Sequence, residues 1–213
     1  MDQVLVTQFI TYFVTFFVLI DAVGVAPIFA ALTARGDAAY RRSMAIRSVF
    51  VATIIIFAFA IGGAWLLDHM GISLDAFRAA GGALLFLIAL DMVFEKRTER
   101  RGQRADEHMS THQELDDISV FPVGIPMVAG PGSIASAMLF MSNASGDLAH
   151  QGVVLGAIGV NLLLCLIIFL AAGPLVKMMG EAIAGAVTRI FGVILAALSV
   201  QLLIDGLKGA FLG

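Results

Sequence analysis

The chain has 213 residues, 60% of them hydrophobic and 14% charged, with a formal net charge of −3 and a mean hydropathy of +0.96. Soluble domains carry about 25% charged residues, so this composition excludes an ordinary water-soluble fold. The small net charge offers no basic footprint for nucleic acid, and it averages over two membrane faces.

Six apolar runs reach the length of a bilayer's hydrocarbon core: residues 4–33, 46–67, 77–94, 120–141, 152–176 and 183–207. They predict an all-α membrane protein with six transmembrane helices in one transmembrane domain, 1–213. The first run is a span and not a cleaved leader. It opens without Lys or Arg, and it is longer than the core of a signal peptide.

That run contains DAVGVAPIF, residues 21–29. An aspartate inside a span costs about 2.5–3.5 kcal/mol unless it faces protein or water. Gly24 frees the backbone, and Pro27 removes an N–H and clashes with the Val23 carbonyl. A break there would free carbonyls for a cation or ammonium, and amides for a carboxylate. Asp21, Gly24 and Pro27 are therefore expected to form half of a substrate site. The competing expectation places Asp21 near a helix end, in contact with water.

Basic residues follow the odd-numbered spans: Arg35, Arg41, Arg42 and Arg47, then Lys96, Arg97, Arg100, Arg101 and Arg104, then Lys177. The positive-inside bias makes those loops cytoplasmic and has both termini face outward, as expected of a cytoplasmic-membrane protein. One cysteine, Cys165, allows no internal disulfide.

The polar segment 95–119 separates repeat one, 1–94, from repeat two, 120–213. Pro27 in GVAPIF has a counterpart in Pro131 of VAGPGS. Arg78 and Gly81, in RAAG, have counterparts in Arg189 and Gly192, in RIFG. Two three-span units joined by one loop enter the membrane from opposite sides. The expectation is two inverted three-helix repeats, with broken helices in spans one and four and a site near the midplane.

Six of the twelve residues 122–133 are proline or glycine. That density excludes a regular helix and is tolerated in lipid only where protein or a watery cavity covers it. Gly130, Pro131, Gly132 and Ser133 complete the expected substrate site, as the amide-rich start of a half-helix. Ser136 adds a hydroxyl one turn on. The alternative leaves residues 120–130 outside the bilayer, as a loop.

Arg78 and Arg189 read either as interface anchors or, with Asn161, Gln201 and Asp205, as gating and helix-pairing groups. Asp91 is expected to meet water. His108 and His112 lie four apart in the polar loop with Glu107 and Glu114 nearby, but the HExxH glutamate is missing, so neither metal nor cofactor is expected. No phosphate loop is present, and Ser133 has no histidine near it at the midplane, so an enzyme is not expected. The acids interleaved through segment 95–119 make it an ordinary charge cluster.

The blocks DAVGVAPIF, GGALLFLIALDMVF, FPVGIPMVAGPGSI and RIFGVILAALSVQLLIDGL, in this order and with six spans, resemble the MarC family of small bacterial inner-membrane proteins. Some relatives in that family are described as transporters of small neutral amino acids, so the resemblance implies a glycine- or alanine-like solute. Ala22 and Val25 depart from the family motif, which has proline and asparagine there. The loss of that asparagine removes a polar contact that bears on substrate identity.

The function expected is secondary transport of a small neutral amino acid. Asp21 and nearby carbonyls would take the ammonium or a coupling proton or Na+, and Gly130, Gly132 and Ser133 the carboxylate. A homo-oligomer is compatible with this. The alternatives are a non-transporting scaffold or assembly protein, and a passive channel or exporter of small solutes.

Overall fold

The structure, a computed structural model, describes residues 2–94, 100, 103 and 117–212. Its helices are α1 (Asp2–Ile20), α2 (Ala22–Leu32), α3 (Ala38–His69), α4 (Leu74–Val93), an irregular helical segment Ser119–Val128, α5 (Pro131–Asn143), α6 (Leu148–Leu170) and α7 (Ala172–Leu212). Five stretches are long and apolar enough to cross a membrane: Gln3–Leu32, Ala38–His69, Leu74–Val93, Leu148–Leu170 and Gly185–Phe211. Joining the irregular segment to α5 makes a sixth.

Side-chain caps set several helix starts. Asp37 accepts from the Tyr40 amide at 2.7 Å, Ser73 from Ala76 at 3.2 Å, and Asp147 from Ala149 and His150 at 3.0 and 3.1 Å. The Asp37 cap starts α3 eight residues before the apolar run begins. Arg41, Arg42 and Arg47, expected in a loop, therefore ride on a helix that projects past the hydrocarbon. Lys177 is likewise on α7, because α6 stops at Leu170 and the chain turns back into helix within one residue. After α3, Gly71 takes φ +66° and lets the chain reverse into Ser73.

The outer surface is apolar where lipid would lie. Ile10, Phe50, Ile54, Ile61, Leu87, Leu163, Ile167, Ile190 and Val193 are all exposed. Inside, Phe16, Phe29, Ile56, Met127 and Ile158 are fully buried, and they belong to one core around which α1, α2, α3, α5 and α6 close. Cys165 is buried in the same core.

The most extensive helix pairing is α4 against α7. It runs antiparallel: Gly82 lies against Ser199 and Leu203, while Gly206 lies against Ala79 and Asp75. A Cβ added at Gly82 would sit 2.6 Å from the Leu203 amide nitrogen, so only glycine permits this approach. Small residues are the usual means of bringing two membrane helices into van der Waals contact.

Candidate functional site

The first span is broken at a single residue. Asp21 takes φ 50° and ψ 49°, and it is the only non-glycine residue with positive φ among those described. Aspartate tolerates this left-handed conformation better than most residues, because its short side chain can hydrogen-bond locally. Here the carboxylate accepts from the Gly24 amide at 3.2 Å and caps α2. The backbone stays bonded on both sides, from Asp21 N–H to Phe17 C=O at 3.1 Å and from Val25 N–H to Asp21 C=O at 3.0 Å.

This moves the expected break six residues upstream of Pro27. Pro27 lies inside α2, and Gly24 serves close packing there. A Cβ on Gly24 would come within 2.5 Å of both the Asp21 carboxylate and the Thr188 hydroxyl. Thr188 was not anticipated. Its hydroxyl donates from α7 to the two Asp21 carboxylate oxygens, at 3.3 and 3.4 Å. Both residues are buried, with Asp21 fully inaccessible. A threonine alone in the apolar run before Arg189 was the available signal.

The 119–128 segment has a different construction. Phe121 and Ile125 each precede a proline and are extended, at φ/ψ −129/134° and −127/130°, the conformation that a following proline imposes. Both X–Pro bonds are cis. The widened turns between them are closed by Val123 N–H to Ile118 C=O at 3.4 Å and Ala129 N–H to Gly124 C=O at 2.9 Å. At its start, Asp117 takes Arg47 of α3 at 2.6 Å. The Ser119 hydroxyl first, then its amide and the Arg47 guanidinium, hold the Asp117 carboxyl below its ordinary pKa, against the effect of partial burial.

α5 leaves this segment at 59°. Gly130 is its N-cap and makes no side-chain cap, and Pro131 occupies the first turn. The amides of Gly132 and Ser133 thus belong to the orphan donors of a helix N-terminus. The Ser133 hydroxyl donates to the carbonyls of Val128 and Gly130, at 3.1 and 3.0 Å, so its proton is directed into the break. Ser136, one turn on, is fully buried, and its hydroxyl has no hydrogen-bond partner among the described residues.

The two breaks approach each other through one side chain. A Cβ on Gly132 would lie 3.0 Å from a Leu19 methyl, two residues before Asp21. Leu85 and Ile88 of α4 close the same spot at 3.3 and 3.0 Å.

The remaining predicted residues are dispersed. Arg78 pairs with Asp75 at 2.9 Å and donates to Asn143, the last residue of α5. Arg189 is exposed, next in sequence to Thr188. Asn161 donates to the Phe13 and Ala157 carbonyls at 3.1 and 2.9 Å, tying α6 to α1. Gln201 and Asp205 bond each other at 2.9 Å along α7, with Gln201 exposed. Asp91 pairs with Arg100. His108 and His112 lie outside the described residues, and among those described no three His, Cys, Asp or Glu converge on a metal position.

The family described as "MarC family integral membrane protein" matches residues 6–211. A UPF0056 membrane protein of Methanocaldococcus jannaschii is 36% identical over 194 residues, covering 91% of this chain and 93% of the relative. UPF0056 membrane protein YvbG of Bacillus subtilis is 33% identical, covering 89% of each chain. YhcE of Escherichia coli is 30% identical, covering 92% of this chain and 89% of its own. No solved structure matches.

Proposed function

The chain belongs to the MarC family of integral membrane proteins, and within that family we propose that it is a secondary transporter of a small neutral amino acid such as glycine or alanine, and not an enzyme. The observation that carries this reading is the fully buried Asp21 at the broken first span, together with a second half-helix that starts without a side-chain cap and meets the first break through Leu19. One break holds an acid. The other presents backbone donors. An ammonium or a coupling cation (a proton or Na+) suits the first, and a carboxylate suits the second.

Alternating access in this reading comes from two inverted repeats, with the segment 119–128 and α5 forming one broken span. Contacts along α4 and α7 support it. Gly82 packs on Ser199 and Leu203, and Gly192 packs on Ala89, Met92 and Val93. Gly82 and Gly192, Ala89 and Ser199, and Val93 and Leu203 are each 110 residues apart, so the contacts are reciprocal. The two N-caps, Asp21 and Gly130, are 109 apart, close to the same offset. The N-caps Asp21 and Gly130 thus correspond to within one residue of this register, whereas Pro27 and Pro131, 104 apart, do not. Both termini are placed on the periplasmic side of the cytoplasmic membrane, because Arg41, Arg42, Arg47 and Lys177 collect at the opposite end.

One observation favours a non-transporting scaffold. The Asp21 carboxylate already has the Gly24 amide and the Thr188 hydroxyl, as a purely structural cap would. Counterflow of labelled alanine and glycine into liposomes separates the two readings. Transport predicts saturable exchange that Asp21→Asn reduces at least about tenfold, while the variant keeps the fold. Normal exchange by Asp21→Asn, with unchanged pH dependence, removes Asp21 from the mechanism. A lack of counterflow with any solute of a broad panel favours the scaffold.

A further inference from the structure

A second feature lies at the other end of α2, away from the helix breaks. Between the end of α2, the start of α3 and the junction of α6 with α7 is a cavity of about 550 Å³. Its inner wall is apolar. Phe29 and Phe169 stack there with ring centroids 4.6 Å apart and planes 5° from parallel, beside Leu170 and Val176. Arg41 and Arg42 from α3 and Lys177 from α7 also line it, and no acidic side chain among the described residues does. The acid nearest in sequence, Asp37, is engaged by the Tyr40 amide as the cap of α3.

Three like charges around one void repel each other, and the repulsion is stronger beside an apolar wall than in open water. An anion relieves it. A small soluble anion would meet the cations and leave the aromatic wall wet, whereas an amphiphile with an anionic head satisfies both. Arg41 and Arg42 lie in the first turns of the candidate span Ala38–His69, and Lys177 precedes the span Gly185–Phe211, so all three belong to the ends of apolar stretches, where lipid phosphates are expected.

We propose that this cavity binds an anionic phospholipid. Its headgroup phosphate is held by Arg41, Arg42 and Lys177, and the first part of an acyl chain lies against Phe29, Phe169 and Val176. Such a lipid joins α2 and α3 to the start of α7. The site depends on the membrane setting alone and stands whether or not the chain transports a solute.

The test is native mass spectrometry of the purified full chain, titrated with phosphatidylglycerol, phosphatidylcholine and inorganic phosphate. Each basic residue near an anionic headgroup contributes roughly a fivefold preference. Phosphatidylglycerol should therefore be retained at least about tenfold better than phosphatidylcholine. The triple variant Arg41→Gln, Arg42→Gln, Lys177→Gln should bring that ratio near one, while Lys208→Gln leaves it unchanged. Ala34→Trp fills the cavity mouth without altering charge, and it should weaken phosphatidylglycerol binding too. Equal retention of the two lipids, a triple variant that keeps the preference, or inorganic phosphate held as firmly as phosphatidylglycerol would each overturn the proposal.

Discussion

The breaks at Asp21 and at Gly130 do the same geometric job by opposite means. At Asp21 one side chain does the work. It adopts the left-handed backbone, caps the new helix through the Gly24 amide and takes a hydroxyl from Thr188. At Gly130 the backbone does it, through two extended pre-proline residues, widened turns and a proline at the first turn of α5, with no side-chain cap. A break made by a side chain carries that side chain's charge into the membrane. A break made by prolines and glycines leaves only peptide dipoles there. The pair is therefore chemically asymmetric, acid on one side and amide on the other.

The contrast is broken most directly by alanine at each N-cap. Asp21→Ala loses the cap, worth about 0.5–2 kcal/mol, and must hold a left-handed backbone that costs roughly 1–2 kcal/mol more. Denaturant unfolding in detergent should show a loss of about 2–4 kcal/mol, and Asp21→Gly should recover the backbone part. Gly130→Ala, at φ −81° with its Cβ 3.0 Å from the Pro126 carbonyl, should cost about 1 kcal/mol or less. Equal losses at the two positions would remove the distinction between them.

Next in size is the close approach of α4 to α7. Gly82→Ala meets backbone at 2.6 Å and should cost about 1–3 kcal/mol, with Gly192→Ala, at 2.9 Å from Met92 Cβ, somewhat less. A harmless Gly82→Ala would mean that the helices are not in backbone contact. Thr188→Val removes the donor to Asp21 and should cost about 1–2 kcal/mol, whereas Ser133→Ala, whose hydroxyl meets only carbonyls, should cost about 0.5–1.5 kcal/mol. If Ser133→Ala proves the more damaging, the second break also depends on a side chain.

The smallest effect is in pH. Asp117 is depressed in the folded chain, so its contribution is complete above the ordinary carboxylate range and is lost as pH falls through its lowered value. The Arg47–Asp117 pair is largely exposed, and an exposed ion pair is worth roughly 0.5 kcal/mol. Acid titration of Arg47→Gln beside the parent should show the difference between them fading only at low pH.

The spans were legible because hydrocarbon thickness writes itself into the sequence as runs of apolar residues, and the described helices fall on those runs. The helix ends were not. Asp37 and Asp147 start helices by capping, whatever the hydropathy around them, so α3 begins well ahead of its apolar run. The first break was assigned to Pro27 because proline is the loudest signal of a kink. The residue that breaks the chain is an aspartate three positions before a glycine whose amide it bonds. That Asx cap can be read from a sequence, but only by favouring the capping residue over the proline. Thr188 could not be placed opposite Asp21 without knowing how α7 crosses α2. The six prolines and glycines of residues 122–133 announce an irregular backbone, but composition does not say whether it lies inside or outside the bilayer.

The seam between α4 and α7 has a mechanical meaning. Where Gly82 meets the backbone of Leu203 and Gly206 meets that of Ala79, no side chain stands between the helices to change rotamer. A surface of that kind has one way to fit and cannot click into a neighbouring register without opening a void. These two helices are the fixed mast of the molecule. In the transport cycle proposed above, motion would fall to the shorter pieces, α2 and α5, whose starts lie against α7 and α4.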